Sequence, residues 1–174
     1  RFVMKRIIIA LILAFVLSLG FGPIVTQAGA ETMNIKLVSM VEKVETVKVT
    51  LIEGVVIGVL DRKGLAMCEN GDIATMSCRG TFDTNKGFQG YCSIAFDDGS
   101  SVVLWWKGPT SRVPPGGKFG GLTGTFEYAK GSGRFEGIKG SGTFFEKKPN
   151  WDKDYKAKGF TYYEWTGTYT LPSQ

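Results

Sequence analysis

Glycine punctuates residues 121–145 at a spacing that few architectures tolerate. The stretch runs from Gly121 to Phe145, with two short aromatic and β-branched runs, Thr123–Ala129 and Gly140–Phe145, around the segment Gly131-Ser-Gly-Arg-Phe-Glu-Gly-Ile-Lys-Gly140. Glycine reaches φ > 0 without steric cost and lets neighbouring backbones approach closely. Glycine recurring between short apolar runs marks the turns, bulges and corners of an antiparallel sheet, not helices. Gly131, Gly133, Gly137 and Gly140 are the structural positions of this turn system.

The rest of the chain carries the same signature. Turn sequences recur at hairpin spacing: Asp61-Arg-Lys-Gly64, Glu69-Asn-Gly-Asp72, Thr84-Asn-Lys-Gly87 and Asp97-Asp-Gly99. Asn-Gly and Asp-Gly between apolar runs are strong hairpin signals. Gly108–Gly121 is a Pro/Gly-rich loop and Pro149–Ala157 a polar loop around Trp151, and Phe160–Leu171 is a last long aromatic strand. About eight strands with almost no helical period predict an all-β fold. A closed antiparallel barrel suits it because closure removes exposed edges, and a two-sheet sandwich is the alternative.

The N-terminus stands apart. Met4-Lys5-Arg6 is a positively charged start, Ile7–Phe21 is apolar and free of charge, Pro23 breaks the run, and Ala28-Gly29-Ala30 fits a small-residue cleavage site. Residues 1–30 therefore read as a cleaved signal peptide whose natural start is Met4. About 15 apolar residues fall short of the roughly 20 that span a bilayer, so no membrane span is expected after cleavage. The expected location is secreted or periplasmic. Residues 31–45 read as a leader arm or short helix, because Ile35, Val38, Val41 and Val44 recur every three. Residues 46–174 read as one barrel domain.

Charge and composition exclude several classes of chemistry. The formal charge is +5, and removing Arg1, Lys5 and Arg6 with the signal leaves 18 basic against 16 acidic residues. No basic block suits a nucleic acid partner. The chain has no histidine. That removes Ser-His-Asp and Cys-His catalysis, His-ligated zinc and the usual base near neutral pH. With no CxxC pair, no metal site and no cofactor are expected.

Strand alternation sorts side chains by face. One phase holds Met76, Cys78, Phe82, Cys92, Ile94 and Phe96, then Val102, Leu104, Trp106, Phe126, Tyr128, Tyr163, Trp165, Tyr169 and Leu171. The other holds Thr75, Ser77, Arg79, Asp83, Asp97, Lys107, Glu127, Glu164 and several Thr. The first set is assigned to the interior, which turns Val103, Trp105 and Phe145 outward. Trp106, Phe126, Tyr128, Tyr163 and Trp165 are then either plain core or the lining of a ligand cavity, since an eight-stranded bore can be filled or can hold one small ligand. Glu127 and Glu164 fall outside and Glu136 in a turn, which leaves no acid/base pair.

A secreted protein can hold disulfides. If the hairpin turn centres on Asn85, Cys78 and Cys92 lie equidistant from it, on the inward phase, and can bridge. A turn at Lys86-Gly87 spoils that register. Cys68 bonded to one of the other two, or three buried thiols, are the alternatives, and one cysteine stays over in any case.

Residues Gly131–Gly140, with Lys158-Gly-Phe-Thr-Tyr-Tyr-Glu-Trp-Thr-Gly167, resemble the C-terminal half of the allene oxide cyclase barrel, and dirigent proteins share a similar turn. Gly90-Tyr-Cys-Ser-Ile-Ala-Phe-Asp-Asp-Gly99 and Trp105-Trp-Lys-Gly108 resemble the central hairpin of such barrels. The resemblance covers residues 80–171. It implies an eight-stranded antiparallel barrel with an apolar interior, often a homotrimer, in a group acting on lipid-derived epoxides or steering phenoxy radical coupling. The cyclases place a carboxylate and an ordered water in the barrel mouth from a strand-one motif. Glu53 is the only carboxylate in the first clear strand region here, and its surroundings differ from that motif. No catalytic residue is carried over.

Three functions follow as alternatives. A binder of a small apolar or aromatic molecule requires a cavity lined by the inward phase. A cyclase or isomerase requires that cavity and an inward carboxylate. A structural or interaction protein requires a solid barrel and a large apolar outer patch. For the signal peptide, N-terminal sequencing of the exported protein should begin Glu31-Thr-Met-Asn-Ile; an exported chain that retains residues 4–30 contradicts the reading.

Overall fold

The computed structural model describes residues 29–50, 52–109, 119–120, 122–149 and 160–172. Most of the expected signal peptide and the larger parts of the Pro/Gly loop and the Trp151 loop lie outside the described residues.

Eight long strands run antiparallel in one closed barrel: β1 (Glu31–Lys48), β2 (Val56–Cys68), β3 (Ile73–Asp83), β4 (Gly87–Phe96), β5 (Ser101–Gly108), β7 (Thr123–Ser132), β8 (Lys139–Pro149) and β9 (Phe160–Thr170). The two-residue β6 (Phe119–Gly120) pairs with the end of β8. Each long strand pairs with the next along the chain, and β9 pairs with both β8 and β1 to close the sheet. This up-and-down order needs only short hairpins, which is why the turn sequences dominate the chain.

The turns form by local chemistry. Asp83 Oδ1 accepts the N–H groups of Asn85 and Lys86 between β3 and β4. Asp98 Oδ1 accepts the Ser100 N–H between β4 and β5. Between β7 and β8 the chain makes a single 3-10 turn, Gly133–Phe135, and the expected turn glycines all fall in or beside it. Gly133, Gly137 and Gly140 have φ of +62°, +72° and +146°. At Gly140 a side chain is excluded twice over, because a Cβ would also lie 2.0 Å from the Thr168 carbonyl oxygen.

Two expectations are corrected. Glu31–Lys48 is a full barrel strand, neither a leader arm nor a helix, so the barrel begins before residue 46. The three-residue spacing of Ile35, Val38 and Val41 arises because both faces carry apolar groups. Ile35 and Leu37 are buried inward, whereas Val38 and Met40 stay exposed outward. Asp61–Gly64 lies within β2, not at a turn. Asp61 pairs outside with Arg79 at 3.5 Å, and Arg62 turns inward.

The interior follows the predicted phase. Cys92, Ile94, Val102 and Leu104 are fully buried, and Phe126, Trp165, Phe144 and Met76 nearly so. Val103, Trp105 and Phe145 face outward and stay half-buried. β3 and β4 pair with Cys78 opposite Cys92, and the two are joined by a disulfide, which leaves Cys68 as a free thiol. A cross-link closing a loop of this length stabilises by about 3 kcal/mol through the unfolded chain. The Cys78→Ala/Cys92→Ala double variant should lose about that much in urea denaturation; an unchanged midpoint would mean the bridge constrains nothing.

Candidate functional site

Large rings fit inside this bore because glycines face them across the strands. Phe82 is paired with Gly58, Phe88 with Gly108, Trp106 with Gly90, Phe144 with Gly124 and Phe126 with Gly142. A Cβ at Gly58 would lie 2.4 Å from the Phe82 ring, one at Gly108 2.2 Å from Phe88, and one at Gly124 2.3 Å from Phe144. Trp106 extends over two strands: Gly80 is opposite Gly90, and a Cβ at Gly80 would lie 2.5 Å from the indole. Each ring therefore lies against its neighbour's backbone, and around Phe82, Phe88, Trp106 and Phe144 the centre of the bore stays open.

The open space is a cavity of about 540 Å³ at the barrel end that carries the β3–β4 turn. That volume lies in the range of small-molecule sites. Its apolar wall includes Met76, Phe82, Phe88, Trp106, Phe144 and Trp165. Phe144 and Trp165 stack at 5.0 Å between ring centroids, and Phe88 bridges toward Trp106 at 5.7 Å and Phe144 at 6.3 Å.

A second wall is polar. Arg62, Glu146 and Tyr163 line the cavity from β2, β8 and β9. Tyr163 donates its hydroxyl to Glu146 Oε1 at 3.3 Å, and the Leu122 N–H donates to Glu146 Oε2 at 3.3 Å. Arg62 Nη1 donates to Thr161 Oγ1 at 2.9 Å and Ser39 Oγ at 3.3 Å. The guanidinium sits 5.7 Å from the centroid of the Tyr163 ring. Ser39, Glu146 and Thr161 are almost wholly buried, with Glu146 only 1% exposed. Arg62 Nε and the indole N–H groups of Trp106 and Trp165 are buried with no partner among the described residues.

The five aromatic residues read from the sequence divide by depth. Trp106, Tyr163 and Trp165 line the cavity. Phe126 and Tyr128 pack away from it, edge to face at 5.6 Å, with Phe126 also 4.9 Å from Trp165. Glu127 and Glu136 are exposed, and Glu164 faces outward to Lys147 at 2.8 Å. Arg62 and Glu146 escaped the sequence reading. Their signal was present in the alternation, since Glu146 follows inward Phe144 by two and Arg62 follows Leu60 by two. The false turn at Asp61–Gly64 hid the second, and attention to apolar residues hid the first.

Burial, and then the Glu146 carboxylate, push the Tyr163 hydroxyl well above its ordinary value. Burial does the same to Tyr128. Burial and the hydrogen bond to Glu31 push Tyr169 up to about 12.

No protein-family model matches the chain, and no curated protein sequence does. Among solved structures, the pterocarpan synthase dirigent protein is similar with a TM-score of 0.48 and 13% identity, over 87% of this chain and 96% of that one. A conserved protein of unknown function from Rhodopseudomonas palustris is similar with a TM-score of 0.44 and 11% identity, over 82% of this chain and 99% of that one.

A raised phenol pKa favours the folded state fully below the ordinary value of 10.0, and that contribution is lost as pH rises above it. Tyrosinate absorbance of the native protein should therefore show a late-ionising class, and stability should fall above about pH 10. Glu146→Gln should advance one step of that titration by removing the carboxylate beside Tyr163. Native tyrosines that all ionise as free tyrosine does would contradict the burial of this wall.

Proposed function

We propose that the barrel binds one small apolar or aromatic molecule in the mouth cavity without covalent chemistry. The observation that carries this is the open bore: the rings of the apolar wall are seated on facing glycines and do not fill the interior. A solid, purely structural barrel has no need to hold its aromatic side chains back against the backbone. Burying a ring against Trp106, Phe144 and Trp165 contributes about 25 cal/mol per Å² of apolar surface covered. The signal peptide read in residues 1–30 supports a secreted or periplasmic site of action.

One observation favours a second reading. Glu146 brings a carboxylate into the cavity beside the Tyr163 hydroxyl. A cyclase or isomerase acting on an apolar substrate would need such a group. In that case a bound compound is released as an isomer of equal mass, and Glu146→Gln removes turnover while leaving binding in place.

The test of binding is titration of the mature protein with N-phenyl-1-naphthylamine, a neutral fluorescent apolar probe. Wild type should saturate with one site per barrel and a micromolar Kd. Leu60→Trp, which puts a large ring at the half-buried cavity rim, should weaken the probe about tenfold or more while the far-ultraviolet circular dichroism stays unchanged. Equal affinity in wild type and this variant would place the probe elsewhere, and absence of binding across an apolar panel would remove the proposal.

A further inference from the structure

The outer surface of the barrel is uneven. Eleven large apolar side chains are exposed among the described residues, and ten of them lie between Val38 and Ile73, on β1, β2, the turn that joins them and the first residue of β3. The eleventh, Tyr91, stands on β4 beside Trp105, whose ring lies under the Lys107 ammonium at 5.0 Å. Register gathers the outward members of the ten into cross-strand pairs: Val38 faces Leu65, Val47 faces Ile57, and Met67 faces Ile73. Met40 and Val59 extend the same face. Apolar side chains scattered singly on a surface need no explanation, but a contiguous patch marks a place that something covers. These eight side chains, each about half exposed, present on the order of 650 Å² per barrel. That is the upper end for the largest patch of a monomer, and it approaches the roughly 800 Å² that each partner buries in a standard interface, polar rim included.

We propose that a second copy of the same chain covers this face, in a two-fold pair of barrels that meet through the outer side of β1 and β2. Charge selects the partner. Three ion pairs cross the face between its two apolar ends: Lys63 Nζ with Glu42 at 3.1 Å, Lys43 Nζ with Glu45 at 2.5 Å, and Arg79 with Asp61 at 3.5 Å. Each closes within one barrel. The band therefore offers no excess of cations to an anionic lipid surface or a nucleic acid, and no net charge that would repel its own copy. The number of patches selects the symmetry. A closed ring of three brings two different patches of each protomer together, whereas a two-fold pair uses one patch twice. The described residues expose one. The proposal does not depend on what the cavity holds.

The experiment is sedimentation velocity of the mature protein from about 1 to about 100 µM. Wild type should sediment as one species of twice the chain mass over most of that range. Leu65→Glu sets a charge in the middle of the patch and should weaken the pair about a hundredfold or more, with the far-ultraviolet circular dichroism unchanged. Tyr91→Glu, which sets the same charge on the other side of the barrel, should stay paired. Should Leu65→Glu fail to fold, the Val38→Ser/Leu65→Ser double variant, which brings in no charge, carries the same expectation. A monomer across the whole range overturns the proposal, because the face is then covered by another protein or by the chain itself. A trimer overturns the two-fold arrangement. A dimer that survives both Leu65→Glu and the double serine variant meets through another face, and that too overturns it.

Discussion

Every large feature of this barrel depends on an aromatic ring lying against a glycine on the adjacent strand. An eight-stranded barrel has a bore just wide enough to be filled by its own side chains. Trp106, Phe126, Phe82, Phe88 and Phe144 would overfill it if they stood upright toward the axis. Gly90, Gly142, Gly58, Gly108 and Gly124, each paired directly with one of them, remove the Cβ that would hold the ring away. The ring then covers backbone that a glycine would otherwise expose, so the loss of strand propensity at glycine is offset by aromatic packing. The same arrangement has opposite results at two depths. Phe126 lies over both Gly142 and Gly167 and packs against Trp165 and Tyr128, which closes the middle of the bore. Trp106 lies over Gly80 and Gly90 nearer the mouth, and there the centre stays open.

How much of this could be read from the residues alone follows from what period-two alternation reports. It separates two faces, so it located the inward set from Met76 through Leu171 and put Cys78 on the same side as Cys92. The turn chemistry then set the register, because Asp83 caps the turn and centres it on Asn85. Alternation is weak where both faces carry the same kind of residue. β1 has Ile35 and Leu37 inside with Val38 and Met40 outside, so its pattern imitates a helix. It also misleads where polar residues face inward. Asp61-Arg-Lys-Gly64 has the composition of a turn, yet Gly64 is there because a Cβ would lie 1.9 Å from the Val38 carbonyl oxygen across the β1–β2 pair. The aromatic–glycine pairs were not legible in advance. They link residues on different strands, and their meaning appears only once the register is known.

The polar wall is the feature that neither alternation nor composition favours. A buried carboxylate and a half-buried guanidinium need their desolvation offset, and a mutual attraction alone seldom does so. Here the offset comes from a network: Thr161 and Ser39 for Arg62, Tyr163 and the Leu122 N–H for Glu146, and the Tyr163 ring between them. Such a network confers little stability over an apolar replacement of similar volume. It does confer a fixed orientation on two opposite charges at the edge of an apolar cavity. An apolar wall alone discriminates poorly among compounds of similar size, since a methylene or a hydroxyl changes affinity modestly in a hydrophobic pocket. A site built of groups that must be hydrogen-bonded discriminates far better, because the wrong compound leaves them unpaired.

The division of labour between the walls also explains why the barrel type says little about ligand. The aromatic–glycine pairs belong to β2, β3, β4, β5, β7 and β8 and set the volume and flatness of the cavity. The polar groups come from β1, β2, β8 and β9, and β8 and β9 also carry the cavity rings Phe144 and Trp165. Substitutions on the second wall can change the chemistry recognised while the ring packing that holds the barrel open stays in place. The polar character of the cavity is set by three side chains, Arg62, Glu146 and Tyr163, and its volume by the glycines that face the rings. These are separable properties of one interior: replacing Glu146 and Arg62 by leucine would remove their charges from the cavity while the ring–glycine packing stayed in place.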